Sequence, residues 1–410
     1  MKNKAVSILL ILLALLLPSG CWDRRELEEQ AYVVAVGIDT TDDPEYNIYT
    51  YQIVIPSKLI GGGEGGAGGA EGGKSHFETS IRARTMFTAQ DTLQATVSRR
   101  ITLLQCRALL VSEAVARRGM LPAIRVLTRT PELRRTLLLA VVPGKAMDLL
   151  NKVEPKLQDN LNKYYEELTF ANEYTGFTTI STINTLAKAV ESGGEDAVIT
   201  LTALKGGTLD ETVSNAQAGE LPRAKGENQE FLGVAVFHND KMVGKLGKLE
   251  TEVLNMLNGD WHVGPYTIKD PMEPQFDLGL FLYENRRPEL DVDTATDPVT
   301  VNIMLRMNAR LVSQFGKTDY TLAENKTRLE QALKQTVEER CQRLVERAQG
   351  EFKADVFKIG NRAVKKQFLT WPEWRDFDWE EKFPQADIRV SAEIQVMWFG
   401  TQRAPTEVIH

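Results

Sequence analysis

Histidine and cysteine are scarce in this chain of 410 residues, four of one and three of the other. The scarcity limits the chemistry. His76, His238, His262 and His410 lie far apart, and none falls in an H-E-x-x-H or other metal-ligand spacing. There is no C-x-x-C pair and no G-x-S-x-G elbow. The carboxylate pairs Glu166-Glu167 and Glu338-Glu339 sit on helix-like runs, where a solvated face is the default. The expectation is a protein that is not an enzyme and has no cofactor or metal. Net basic charge is missing too: the formal charge is −7, whereas nucleic-acid binding leaves a basic footprint. No nucleic-acid partner is expected.

The apolar run at the start, residues 5–17, is broken only by Ser7 and has thirteen residues. A membrane-spanning helix takes roughly 20. With Lys2 and Lys4 before it, the run matches a secretory signal, 1–20. Small residues then precede a cysteine in Pro18-Ser19-Gly20-Cys21, as a lipoprotein signal requires, and no A-x-A site competes. Diacylglycerol on the Cys21 thiol, with a palmitate-class acyl chain on the freed amine, would supply the two chains needed for stable anchoring. One departure is Pro18, which stands where a lipobox leucine is usual, with Leu17 one earlier. Competing readings are an uncleaved N-terminal anchor and an ordinary secretory signal with an incidental cysteine. Loss of 1–20, with its two lysines and no acids, takes the charge from −7 to −9.

The length suggests two or three domains, since single cores rarely grow past about 250 residues. After Cys21 only Cys106 and Cys341 remain. They are read as two buried thiols in preference to a disulfide, because Cys341 shares a helical face with Leu333, Val337 and Leu344.

The body opens on a continuous apolar strand at 31–39, of the kind buried on both faces, and a second strand at 46–55 pairs with it. Residues 61–73 hold nine glycines in thirteen and read as a flexible loop. The run Gly68-Gly-Ala-Glu-Gly-Gly-Lys-Ser75 matches the phosphate-loop pattern, but a strand-like stretch at 76–81 follows it where that motif requires a helix. Nucleotide binding through Lys74 is therefore not expected. A helix at 82–97, strands at 108–112 and 136–142, and helices between and after them give a mixed α/β first domain, 21–190. Arg125, Arg129, Arg134 and Arg135 form a basic cluster, read as a solvated face or a contact for anionic headgroups or a partner. A middle domain, 191–285, carries a strand at 197–204, a hairpin at 230–244 and a helix at 248–257. A third, 286–410, holds a half-buried strand at 298–312 and an amphipathic helix at 321–351, with Leu322 on its inward side. An aromatic segment (Trp371, Trp374, Phe377, Trp379) and a final strand at 387–396 close it. The fold class is α/β (mixed α+β): three domains, each a mixed or antiparallel sheet with packed helices.

Four groups of stretches point one way. They are Gly20-Cys-Trp-Asp-Arg-Arg-Glu-Leu27 with Val36-Gly-Ile-Asp39; Leu109-Leu-Val-Ser-Glu-Ala114 through Arg129-Thr-Pro-Glu-Leu-Arg134 and Gly144-Lys-Ala146; Leu232-Gly-Val-Ala-Val-Phe237 with Lys241-Met-Val-Gly244; and Asp355-Val-Phe-Lys-Ile-Gly360 followed by Trp374 and Trp379. In order and spacing the mature chain resembles the Ger(x)C spore germination lipoproteins, the C subunits of GerA-type nutrient germinant receptors. The resemblance implies a three-domain α/β lipoprotein on the outer surface of the spore inner membrane. Its partners would be a membrane A subunit and a permease-like B subunit. It brings no catalytic residues, and only Cys21 carries over. The glycine-rich 61–73 and Gln105-Cys-Arg107, where the family often has a histidine, depart from the pattern. The alternative is a solute-binding lipoprotein of a transporter, which would show two similar lobes around a cleft.

Overall fold

The computed structural model describes residues 29–55, 75–158, 160–169, 175–207, 215–226, 228–362 and 377–398. Cys21, the glycine-rich 61–73, Lys74, Trp371, Trp374 and His410 fall outside them. The fold is mixed α+β with two sheets.

The first sheet is built from β1 (Gln30–Thr40), β2 (Asn47–Val54), β3 (His76–Ala83), β4 (Arg100–Thr102), β5 (Ala108–Ser112), β6 (Leu138–Val142), β7 (Val198–Leu204), β8 (Gln229–His238) and β9 (Lys241–Leu246). Their order is β3-β2-β1-β5-β6-β7-β8-β9, with β4 also on β1. β1, β5, β6 and β7 run parallel, and antiparallel strands extend the sheet on both sides. Apolar residues at both parities of β5 and β6 show why the centre lies here. Leu109, Val111, Leu139 and Val141 enter one core, and Ala108, Leu110, Leu138 and Ala140 the other. A parallel sheet covered on both faces calls for that composition. α1 (Met86–Leu93), α2 (Glu113–Arg118), α3 (Leu121–Leu127) and α6 (Ile183–Ser192) cover the first face; α4 (Ala146–Lys152) and α5 (Leu161–Thr169) cover the second.

The second sheet is β10 (Val263–Lys269), β11 (Asp277–Asp293), β12 (Thr300–Gln314) and β13 (Asp387–Trp398), in that order. β12 buries Val301, Ile303, Leu305, Met307, Ala309 and Leu311 and turns the alternate residues outward. α8 (Ala323–Arg347) packs Leu329, Leu333, Val337, Cys341 and Leu344 against that face, and then carries the chain back to β13, parallel to β12. No helix among the described residues is long and apolar enough to cross a membrane.

Between the sheets lies α7 (Lys248–Asn258), buried from Thr251 to Asn258. Val198, Val234, Val236 and Leu246 of the first sheet share one core with α7 and the second sheet.

Several expectations change. Among the described residues of the middle stretch no separate sheet forms: β7, β8 and β9 continue the first sheet, and β10 and β11 begin the second. The start of a third block at 286 falls inside β11. The helix expected from 82 starts at Met86, because β3 runs on through Ala83. Leu322 precedes α8 and faces solvent.

Candidate functional site at the seam between the sheets

The stretches that carry the resemblance meet in pairs. Gly37 in β1 lies where a Cβ would stand 2.9 Å from Leu150 and 3.2 Å from Ala146, so its missing side chain lets α4 pack onto the strand. Two residues on, the buried Asp39 carboxylate accepts the amides of Ala146 at 2.8 Å and Met147 at 2.9 Å. These are N-terminal donors that the helix cannot satisfy itself. Burial raises the Asp39 pKa against the pull of those bonds. Gly244 in β9 lies so close to the Phe352 ring, just beyond α8, that a Cβ would overlap it at 2.1 Å. The first pair fastens α4 to the first sheet, and the second joins the two sheets.

The seam centres on Asp355. Its Oδ1 accepts Phe357 N and Ile359 N, both at 3.2 Å, and its Oδ2 accepts Gly360 N and the Trp379 indole Nε1, both at 2.9 Å. Burial pushes this carboxyl up to about 6 although four donors favour its charge. Asp355 also exchanges two backbone-level bonds with Asp196, just before β7. Its amide donates to Asp196 Oδ2 at 2.9 Å, and its carbonyl accepts Asp196 N at 2.9 Å. Asp196 Oδ1 then takes the amide of Asn239 in the β8–β9 turn at 2.9 Å. His238 stands between carboxylates, with Nδ1 3.4 Å from Asp196 and Nε2 3.0 Å from Glu380. Asp196 first, then Glu380, raises its pKa against partial burial. α7 adds a second clasp: Asn255 donates to the carbonyls of Gly176 and Thr178 at 2.9 and 2.7 Å, and Asn258 to that of Val356 at 3.0 Å.

Beside the seam opens a cleft of about 400 Å³ between α6 and the segment after α7. Its charges are paired along its walls: Lys188 with Glu195 at 3.0 Å and Lys358 with Asp260 at 3.2 Å. The two sheets flanking it differ in strand number and order, unlike the matched lobes of the transporter alternative. Among the described residues no group of three or more His, Cys, Asp and Glu is placed to hold a metal. What the arrangement does is mechanical: it fixes the first sheet to the second through buried, directional bonds.

The sequence candidates are dispersed. Cys21 and Lys74 lie outside the described residues. Cys106 and Cys341 are free thiols in different cores, pushed up by burial to about 12. His76, His238 and His262 each meet their own carboxylate at separate places. Arg107 bonds Asn162 at 2.6 Å and so holds α5 to the sheet. Glu338 was read as solvated, yet it accepts Ala392 N of β13 at 2.8 Å. Asp196 drew no notice in the sequence, because an acid next to Glu195 after two glycines reads as linker.

Fold and seam together define an α+β protein of two unlike sheets, joined through one buried helix and one buried carboxylate. The sequence comparisons agree with that class. Residues 23–204 match the family described as spore germination protein N-terminal domain, and 232–400 match spore germination B3/GerAC like, C-terminal. The chain belongs to the Ger(x)C family of spore germination proteins. It is 25% identical to the putative spore germination protein YfkR of Bacillus subtilis, over 95% of each chain. It is 24% identical to spore germination protein KC of the same organism, over 99% of this chain and 98% of that one. The crystal structure of the GerBC protein superposes with a TM-score of 0.52 at 16% identity, over 88% of this chain and 96% of the other, a likeness of fold.

Proposed function

We propose that the chain is a non-enzymatic subunit of a spore nutrient germinant receptor, anchored through lipid on Cys21 to the outer face of the cytoplasmic (spore inner) membrane. It acts there in complex with a membrane A subunit and a permease-like B subunit. The observation that carries this reading is family membership along nearly the whole chain, with relatives named as spore germination proteins. The sequence around Cys21 adds the means of attachment: residues 1–20 have the layout of an export signal that ends on small residues. In this reading the body works by presenting surfaces, and the seam keeps those surfaces in register.

The test is a spore strain carrying Cys21→Ala, with membrane fraction and nutrient-triggered germination followed together. The expected result is loss of the protein from the membrane fraction and a weaker response to at least one nutrient. An unchanged membrane fraction with unchanged germination overturns the anchor at Cys21.

A further inference from the structure

Several arginines among the described residues face a carboxylate: Arg84 meets Glu45, Arg223 meets Glu230, Arg306 meets Glu289 and Glu393, and Arg347 meets Glu250 and Glu351. A group around one end of the first sheet does not. Arg99, Arg100, Arg125, Arg129, Arg134 and Arg135 are exposed, and among the described residues their guanidinium groups make no ion pair or hydrogen bond. A guanidinium presents a planar fork of N–H donors that matches phosphate oxygens.

Register places them. Arg100 opens β4 and pairs with Gln30, the first residue of β1, and Arg99 precedes it. The connection from α3 to β6 carries Arg129, Arg134 and Arg135. It is tied to the same end by Leu103 N donating to Glu132 at 2.9 Å and Leu138 N donating to the Arg107 carbonyl at 2.9 Å. Arg125 sits one helical turn before Arg129. The carboxylates on the elements packed here are Glu29, Asp91 and Glu132, with Glu166 and Glu167 on α5; Glu132 already accepts Leu103 N, Glu166 faces Arg107 and Glu167 faces Lys163. The arginines therefore outnumber the acids at this end of a chain whose formal charge is −7.

The same end receives the tether. β1 enters at Gln30, and the segment back to Cys21, fully extended, reaches roughly 30 Å at most. That segment carries Asp23, Glu26, Glu28 and Glu29 against Arg24 and Arg25, so it adds no attraction of its own for an anionic surface. We infer that the arginine face at the N-terminal end of the first sheet docks on anionic phospholipid headgroups and sets the orientation of the body on the membrane. The inference rests on the lipid-anchored reading only for its geometry. A tether this short keeps the face close enough to reach the headgroups, where attraction acts within the screening length, about 8 Å at physiological salt. The acidic remainder of the body is repelled by the same surface, which favours one orientation.

The experiment removes the anchor from the question. The mature chain carrying Cys21→Ser is mixed with vesicles of phosphatidylcholine alone, or with phosphatidylglycerol added, and flotation is measured at low and high salt. The expected result is flotation with phosphatidylglycerol vesicles that high salt abolishes, and none with phosphatidylcholine. Arg129→Gln, Arg134→Gln and Arg135→Gln together should cut the partition on the order of a hundredfold, near fivefold per arginine. Thermal melting of that variant should match the parent. Equal binding to both vesicles, or a folded triple variant that floats like its parent, overturns the inference, whatever Cys21 carries. In spores, the triple variant with Cys21 intact should stay in the membrane fraction, which separates failure of this face from failure of the anchor.

Discussion

At Asp355 four N–H donors converge on a carboxylate that burial holds up to about 6, and the consequence is a dependence of stability on pH. From the unfolded aspartate value near 4 up to about 6, the folded chain binds this proton more tightly than the unfolded one. Stability therefore falls as pH rises through that window, by on the order of 3 kcal/mol for the full shift. Glu252 on α7, pushed by burial to about 7, acts in the same sense over a window reaching higher. His238 also has a raised pKa, so its protonated contribution is complete below the ordinary histidine value and is lost as pH climbs through the folded one. All three point one way. The melting temperature should be higher near pH 6 than near pH 8, and Asp355→Asn should flatten the part of the profile below about 6. A melting temperature that rises with pH over that range would contradict the account. This behaviour was not legible in the sequence, since Asp196, His238 and Asp355 are brought together only by the fold. Cys341 was legible, because its helical register with Leu333 and Val337 marks it as buried without tertiary knowledge.

Among the elements, α8 and β13 do more together than their patterns announce. Among the described residues β13 pairs with β12 alone, which leaves its far side as a sheet edge. Edges of this kind invite pairing with other chains unless they are covered. Here the helix covers it: Glu338 accepts Ala392 N and Glu330 accepts Val396 N, both at 2.8 Å. Removing both carboxylates, as Glu330→Ala with Glu338→Ala, should cost about 1–3 kcal/mol for each amide left unpaired in urea denaturation, and Gln at both places should recover most of it. No change in the urea midpoint would show that the two bonds are ornamental. β12 and α8 could be read from alternation and from the 3–4 spacing of their apolar residues. β10 and β11 could not, and prolines explain why. Pro265 is tolerated because β10 is an edge strand, and Pro288 because β11 shifts register between Arg286 and Glu289. A polar stretch with a proline in it reads as a break, yet a bulge carries the strand through.

Across the whole molecule, strand order is what the sequence withheld. The hairpin of β8 and β9 and the parallel strand β7 were visible one by one, but hydrophobic pattern does not say which sheet a strand joins. The structure places them beside β6, so the first sheet ends against α7 and the second begins on its other side. Glycines and acids within the stretches that carry the family resemblance are points of close approach: Gly37 under α4, Gly244 under Phe352, Asp355 beneath Trp379. Such a seam suits a protein that holds two surfaces at a fixed angle for other subunits. The direct measurement is to tag the full-length chain in spores, solubilise the membranes gently in detergent, and quantify what is isolated with it. The account predicts both the A and the B subunit in yields comparable to the chain itself. Recovery of the chain free of either, from membranes in which both are present, would contradict it.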